Sequence, residues 1–111
     1  MTARLELWLW IAARLTAFVL AFGVLIHLIT VIYAVRGGLS ATEILARTQG
    51  NVAWLIFYVL FAWSVAIHAG IGTRTIVGEW TAWRGRSLDM ACLVFALYLG
   101  VAGTQAALGL F

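Results

Sequence analysis

Three long apolar stretches dominate the chain, and short polar segments separate them. They cover Leu15–Val35, Val52–Ile71 and Met90–Phe111. A helix of roughly 20 apolar residues crosses the hydrocarbon core of a bilayer, and a helix is required because lipid offers the backbone no hydrogen-bond partner. We therefore expect an all-α, integral membrane bundle of three transmembrane helices, with spans at approximately 8–35, 52–77 and 88–110 in a single anchor domain of residues 1–111.

The composition supports a membrane protein over a soluble one. Of the 111 residues, 65% are hydrophobic and 10% are charged, whereas soluble domains are about 45–50% apolar and about 25% charged. The pI of about 9.8 does not indicate a nucleic-acid partner, because the charges are few and flank apolar spans. The single cysteine, Cys92, excludes a disulfide framework within the chain.

The first connecting segment carries signals for a helix end and a helix start. Gly37 and Gly38 follow the first apolar run and are typical of a helix C-terminus. Ser40 or Thr42 is then placed to cap a short surface helix, since Glu43 lies three residues after Ser40.

The distribution of arginine predicts the orientation. Five arginines flank one side of the three spans and two flank the other: Arg4, Arg14, Arg74, Arg84 and Arg86 against Arg36 and Arg47. Cytoplasmic loops carry the excess of positive charge, so we expect the N-terminus in the cytoplasm and the C-terminus outside. The expected location is a bacterial cytoplasmic (inner) membrane, because the sequence shows no transit peptide.

Two histidines lie inside the predicted spans, where an ionisable side chain is costly and indicates a functional site. His27 follows Arg14 by thirteen residues, which is roughly 20 Å along a helix, so it falls in the outer half of the bilayer. His68 falls near the cytoplasmic end of the second span. At these different depths the two imidazoles cannot share one metal ion, but each could hold a separate one.

A glycine accompanies each histidine at helical spacing. Gly23 precedes His27 by four residues and Gly72 follows His68 by four, so each glycine shares the face of its histidine. An imidazole beside a surface without side chains suits a haem, with Nε2 as the axial ligand and Nδ1–H held by an acceptor. Ser64, four residues before His68, is a candidate for that acceptor.

Arg14 and Arg74 stand at the cytoplasmic ends of their spans, where guanidinium groups could neutralise haem propionates. Simpler interpretations stay open for all these residues. An intramembrane histidine can hydrogen-bond a neighbouring helix, glycine is common in transmembrane helices, and an arginine at a span end can extend its charge to the interface.

The segment from His68 to Trp80, HAGIGTRTIVGEW, resembles the histidine segment of the small membrane-anchor subunits of succinate:quinone oxidoreductases. These subunits are the cytochrome b anchors of succinate dehydrogenase and fumarate reductase. In that family a glycine follows the histidine by four residues, an arginine often by six, and an Asp–Tyr pair by eleven and twelve; here the pair is Glu79 and Trp80. The Arg14–His27 spacing resembles that of two-haem members. Three predicted helices in a chain of this length also fit the family, so the resemblance extends from Arg14 to the end of the third span.

The resemblance implies a membrane anchor that docks a flavoprotein subunit carrying FAD and a subunit carrying iron–sulfur clusters. By that resemblance, His68 ligates haem b near the iron–sulfur subunit, His27 ligates a second haem near the outer face, and a second membrane-anchor subunit supplies the opposite axial ligands. Glu79 and Trp80 fall at the site of the quinone (ubiquinone or menaquinone). An indole N–H only donates a hydrogen bond, so Trp80 could hold a quinone oxygen but could not relay a proton.

Three other functions stay open. The chain could be a structural anchor without haem, with the same partners. It could be a haem b anchor of fumarate reductase or of another flavoprotein dehydrogenase, because fold and ligands do not name the substrate. A small transporter or assembly factor that uses His27 and Gln105 would need more polar residues along the spans than the sequence has.

Overall fold

The computed structural model describes residues 3–111, and these form four helices: α1 Ala3–Gly37, α2 Ala41–Thr48, α3 Val52–Trp80 and α4 Arg86–Leu110. Helices α1, α3 and α4 are each long and apolar enough to cross a membrane. No strand is present in residues 3–111. The predicted all-α bundle of three transmembrane helices is confirmed.

Two of the helices extend clearly beyond the predicted spans. Helix α1 already includes Ala3, the first described residue, whereas its span is predicted to start near residue 8. Residues 3–7 are mostly good helix formers. Helix α3 continues to Trp80, past the predicted end near residue 77. Hydropathy marks the part of a helix that lies in lipid, whereas the helix itself continues until a residue breaks it. At its other end, α1 stops before Gly38, because the φ of 124° at Gly38 is a conformation that favours glycine and cannot continue a helix.

The short helix α2 starts as the sequence predicts. Ser40 is its N-cap: the Ser40 hydroxyl accepts a hydrogen bond from the Glu43 backbone N–H at 3.2 Å and donates one to the Glu43 carboxylate at 2.7 Å. Arg47 in the last turn donates to the carbonyl of Gly38 at 2.7 Å. The Arg47 bond ties the last turn of α2 to the residue that follows α1.

Helix α3 lies between α1 and α4 and packs against both. The three long helices alternate in direction, so the start of α1, the end of α3 and the start of α4 meet at one end of the bundle. We call this the basic end, because it carries Arg4, Arg14, Arg74, Arg84 and Arg86. At the other end, the Gly50 backbone N–H donates to the carbonyl of Phe111 at 2.9 Å.

Small residues let α3 and α4 approach closely. A Cβ added to Gly100 would overlap the ring of Trp63, and one added to Gly103 would lie 2.5 Å from the Cβ of Ala62. The Trp63 indole N–H donates to the Thr104 hydroxyl at 2.9 Å, so Trp63 is fixed across the interface by its ring and by its polar edge. Glycine at such positions is typical of helix pairs in membranes.

Gly100→Ala is expected to destabilise the bundle by about 1–3 kcal/mol, because the added methyl group forces the Trp63 ring out of its position. Gly109→Ala on the same helix is the matched control, since a Cβ at Gly109 meets nothing within 4 Å. SDS titration of the detergent-solubilised protein, followed by far-UV circular dichroism, measures both variants. Equal stability of the two would show that the α3–α4 contact at Gly100 is not tight.

Few residues are buried within the chain itself. In residues 3–111 the buried side chains larger than alanine are those of Thr16, Leu88 and Cys92. Large apolar side chains such as Phe18, Phe22 and Leu60 are more than half exposed. Their outward faces are therefore available to lipid and to other membrane subunits.

Candidate functional site

His68 meets a threonine of the neighbouring helix. Its Nδ1 lies 3.3 Å from the hydroxyl oxygen of Thr16 on α1, and Thr16 is 8% exposed. That hydroxyl also lies 2.8 Å from the carbonyl oxygen of Ala12. The sequence suggested Ser64 as the acceptor for His68, whereas the partner in the structure is Thr16. The contact joins α1 to α3 at the level of the histidine.

The side of α3 that carries His68 and Gly72 is open. A Cβ built on Gly72 meets nothing within 4 Å, and the His68 side chain is exposed on the isolated chain. Residues four apart lie one above the other on a helix face. His68 therefore stands beside a surface without side chains that no part of residues 3–111 fills.

His27 lies in a different environment. Its ring lies 5.5 Å from that of Phe61 and 6.1 Å from that of Tyr58 on α3. Gly23 is buried, and a Cβ added to it would lie 2.7 Å from Cδ1 of Phe61. The sequence predicts open space for a cofactor beside Gly23, but the Phe61 ring of this chain fills that space.

The two histidines stand at different levels of the bundle, as their positions in the sequence predict. His68 is opposite Thr16, and His27 lies eleven residues further along α1, roughly 16 Å along the axis. Within residues 3–111, no three His, Cys, Asp or Glu side chains come together as a metal site.

Arg74 links the three long helices at the basic end. Its Nη2 donates to Glu6 of α1 at 2.8 Å and its Nε donates to Asp89 of α4 at 2.7 Å. The Arg74 side chain is 17% exposed, so this network is partly shielded from solvent. Neither carboxylate was predicted as a site residue, although each lies near the start of its helix, and α1 and α4 both start at the end of the bundle where Arg74 lies.

Arg14 points along its own helix. Its guanidinium carbon lies 5.2 Å from the centre of the Trp10 ring, in the geometry of a cation–π contact. Both predicted propionate partners, Arg14 and Arg74, therefore lie on the basic-end side, and each already contacts a side chain of this protein.

Glu79 and Trp80 lie at the end of α3, and both are exposed. Trp80 is 83% exposed. Glu79 lines an open cleft of about 620 Å³ at the basic end, together with both carboxylates of the Arg74 network and Arg84. Trp80 stands outside this cleft. Of the two quinone-site residues predicted from the sequence, the structure brings Glu79 close to other charged groups and leaves Trp80 on the surface.

Comparison with known families gives a match over most of the chain. The model of the succinate dehydrogenase/fumarate reductase transmembrane subunit matches residues 1–103. The chain belongs to this family. Together with its three apolar helices, membership identifies an integral, multi-pass membrane subunit of an oxidoreductase complex, associated with the catalytic subunits. Neither the comparison with curated proteins nor that with solved structures found a match.

Proposed function

We propose that this family member is the smaller, haem b-binding anchor of succinate dehydrogenase (succinate:quinone oxidoreductase). His68 would hold a haem b that this chain shares with the second membrane-anchor subunit. The chain docks the flavoprotein and iron–sulfur subunits to the membrane and passes electrons towards quinone.

The surroundings of His68 fit a haem. Thr16 holds Nδ1 and leaves Nε2 for the iron, which is the usual division of roles in a ligating histidine. The open surface at Gly72 gives a flat group room beside the imidazole. When bound, haem b accepts and donates single electrons. A further protein ligand would come from the partner anchor, because His27, the other histidine of this chain, lies roughly 16 Å away along the bundle.

The surroundings of His27 favour helix packing over a second haem. The Phe61 ring fills the space at Gly23, and the imidazole rests against Phe61 and Tyr58. We therefore propose one haem per complex, with His27 packing α1 against α3. The two-haem alternative requires His27 to ligate from its exposed side.

The basic end is the proposed docking side for the soluble subunits. Its five arginines favour the cytoplasm, where a flavoprotein with FAD and a subunit with iron–sulfur clusters would meet the membrane. The Arg74 network ties together the three helix ends that form this surface, and the exposed apolar faces of α1 and α3 are available to the second anchor.

The quinone site is proposed at the same end, near Glu79 and Trp80. The carboxylate of Glu79 in the open cleft can exchange protons with solvent. The indole of Trp80 can donate a hydrogen bond to a quinone oxygen but cannot accept one. Partner subunits would supply the remaining walls, since Trp80 is largely exposed on this chain.

Removal of the chain from cells that express the whole complex tests the anchor function. We expect succinate oxidation with an artificial dye to persist in the soluble fraction, because the flavin chemistry belongs to other subunits. Membrane attachment and electron transfer to quinone should both be lost. Quinone reduction that stays on the membrane without this chain would contradict the proposal. A complex that reduces fumarate with quinol faster than it oxidises succinate would favour the fumarate reductase alternative.

A further inference from the structure

We propose that Thr16 is a positioning residue for the haem ligand: its hydroxyl fixes the tautomer and the ring orientation of His68. The inference rests on the proposed haem function and extends it to a residue of another helix.

The proton arrangement follows from two distances. A threonine hydroxyl has one proton and can accept through its lone pairs. The Ala12 carbonyl, 2.8 Å from the Thr16 oxygen, is an acceptor only and therefore takes that proton. The longer contact of 3.3 Å to His68 Nδ1 is then a bond in which Nδ1–H donates to the Thr16 oxygen. In this tautomer Nε2 carries no proton and presents its lone pair.

Burial makes the arrangement stable. Thr16 is 8% exposed at the interface of α1 and α3, so water does not compete for its hydroxyl. The bond to Ala12 within α1 limits the rotation of the threonine side chain. The position of the oxygen is therefore set by the helix before any ligand binds, and His68 is oriented in advance.

An acceptor on Nδ1–H makes the imidazole a stronger donor to iron, which stabilises the ferric more than the ferrous state. Loss of the acceptor should therefore weaken haem binding and raise the haem midpoint potential. Loss of such a supporting bond typically costs roughly 10- to 100-fold in affinity. A tenfold loss confined to the ferric state corresponds to a rise of about 59 mV for a one-electron couple.

The test compares three variants in the purified whole complex. Thr16→Val keeps the shape of the side chain and removes the acceptor, whereas Thr16→Ser keeps the hydroxyl. Thr30→Val is the matched control, because Thr30 also donates to the carbonyl four residues earlier on α1, at 2.6 Å. Haem b per flavin, the midpoint potential and the low-spin ferric EPR signal are measured for each.

We expect Thr16→Val to raise the potential, shift the EPR g values and speed haem loss, and Thr16→Ser and Thr30→Val to resemble the wild type. A Thr16→Val complex with unchanged potential, EPR signal and haem retention would overturn the role of Thr16 while leaving His68 as ligand. If Thr16→Ser altered the potential, the EPR signal and haem retention as much as Thr16→Val, the packing of the side chain rather than its hydroxyl would cause these changes. The inference would then also fail. A wild-type complex without haem would overturn both this role and the proposed function.

Discussion

His68→Ala is expected to remove haem b from the complex almost completely. Alanine offers no lone pair to the iron, and no other histidine of this chain lies at that level of the bundle. The haem content per flavin, from the pyridine haemochrome assay on the purified complex, measures the effect. The flavin should stay bound and should still be reduced by succinate, because it belongs to another subunit.

His27→Ala is the control for the loss of an intramembrane imidazole. His27 packs against Phe61 and Tyr58, so its truncation should lower the stability of the α1–α3 pair and leave the haem content unchanged. Retention of haem in His68→Ala, or equal loss in both variants, would contradict the assignment of His68 as the ligand in this chain.

Gly72→Phe is expected to exclude haem while His68 is still present. The phenyl ring would occupy the open surface one turn from His68, where a Cβ at Gly72 meets nothing within 4 Å in this chain. For that reason the helix itself should tolerate the substitution. We expect at least a tenfold lower haem content, comparable to the cost of disturbing the shell around a metal ligand.

Ile56→Phe is the matched control for added bulk on α3. Ile56 is 54% exposed and lies on roughly the opposite side of the helix from Gly72, since successive residues are about 100° apart. The complex with Ile56→Phe should assemble with a normal haem content. If Gly72→Phe kept its haem and the wild-type absorption spectrum, the open surface at Gly72 would not be where the haem lies.

The fold follows from the sequence because lipid imposes a simple requirement. Each apolar run must form its backbone hydrogen bonds internally, so hydropathy predicts three spans, and residues 3–111 contain three helices that could be those spans. Even the cap of the short helix at Ser40 could be predicted from local spacing. The helical state of residues 3–7 and the end of α3 at Trp80 could not, because they lie beyond the part of the helix that hydropathy marks.

At the candidate site, only the relation between residues of the same helix could be predicted from the sequence. The i, i+4 rule places Gly72 beside His68 and Gly23 beside His27, but it does not say what the neighbouring helix brings to each face. Phe61 fills the space at Gly23, and Thr16 reaches His68. Both contacts depend on the antiparallel register of α1 and α3, which the pattern of apolar residues does not fix.

The number of haem b groups per flavin in the purified wild-type complex tests the proposed haem-binding function directly. One haem per flavin is the predicted result, with His68 as its ligand in this chain and His27 in helix packing. Two haems per flavin would contradict the packing role and make His27 a second ligand. A complex with full flavin and no haem would contradict the haem-binding function, and the chain would then be a structural anchor alone.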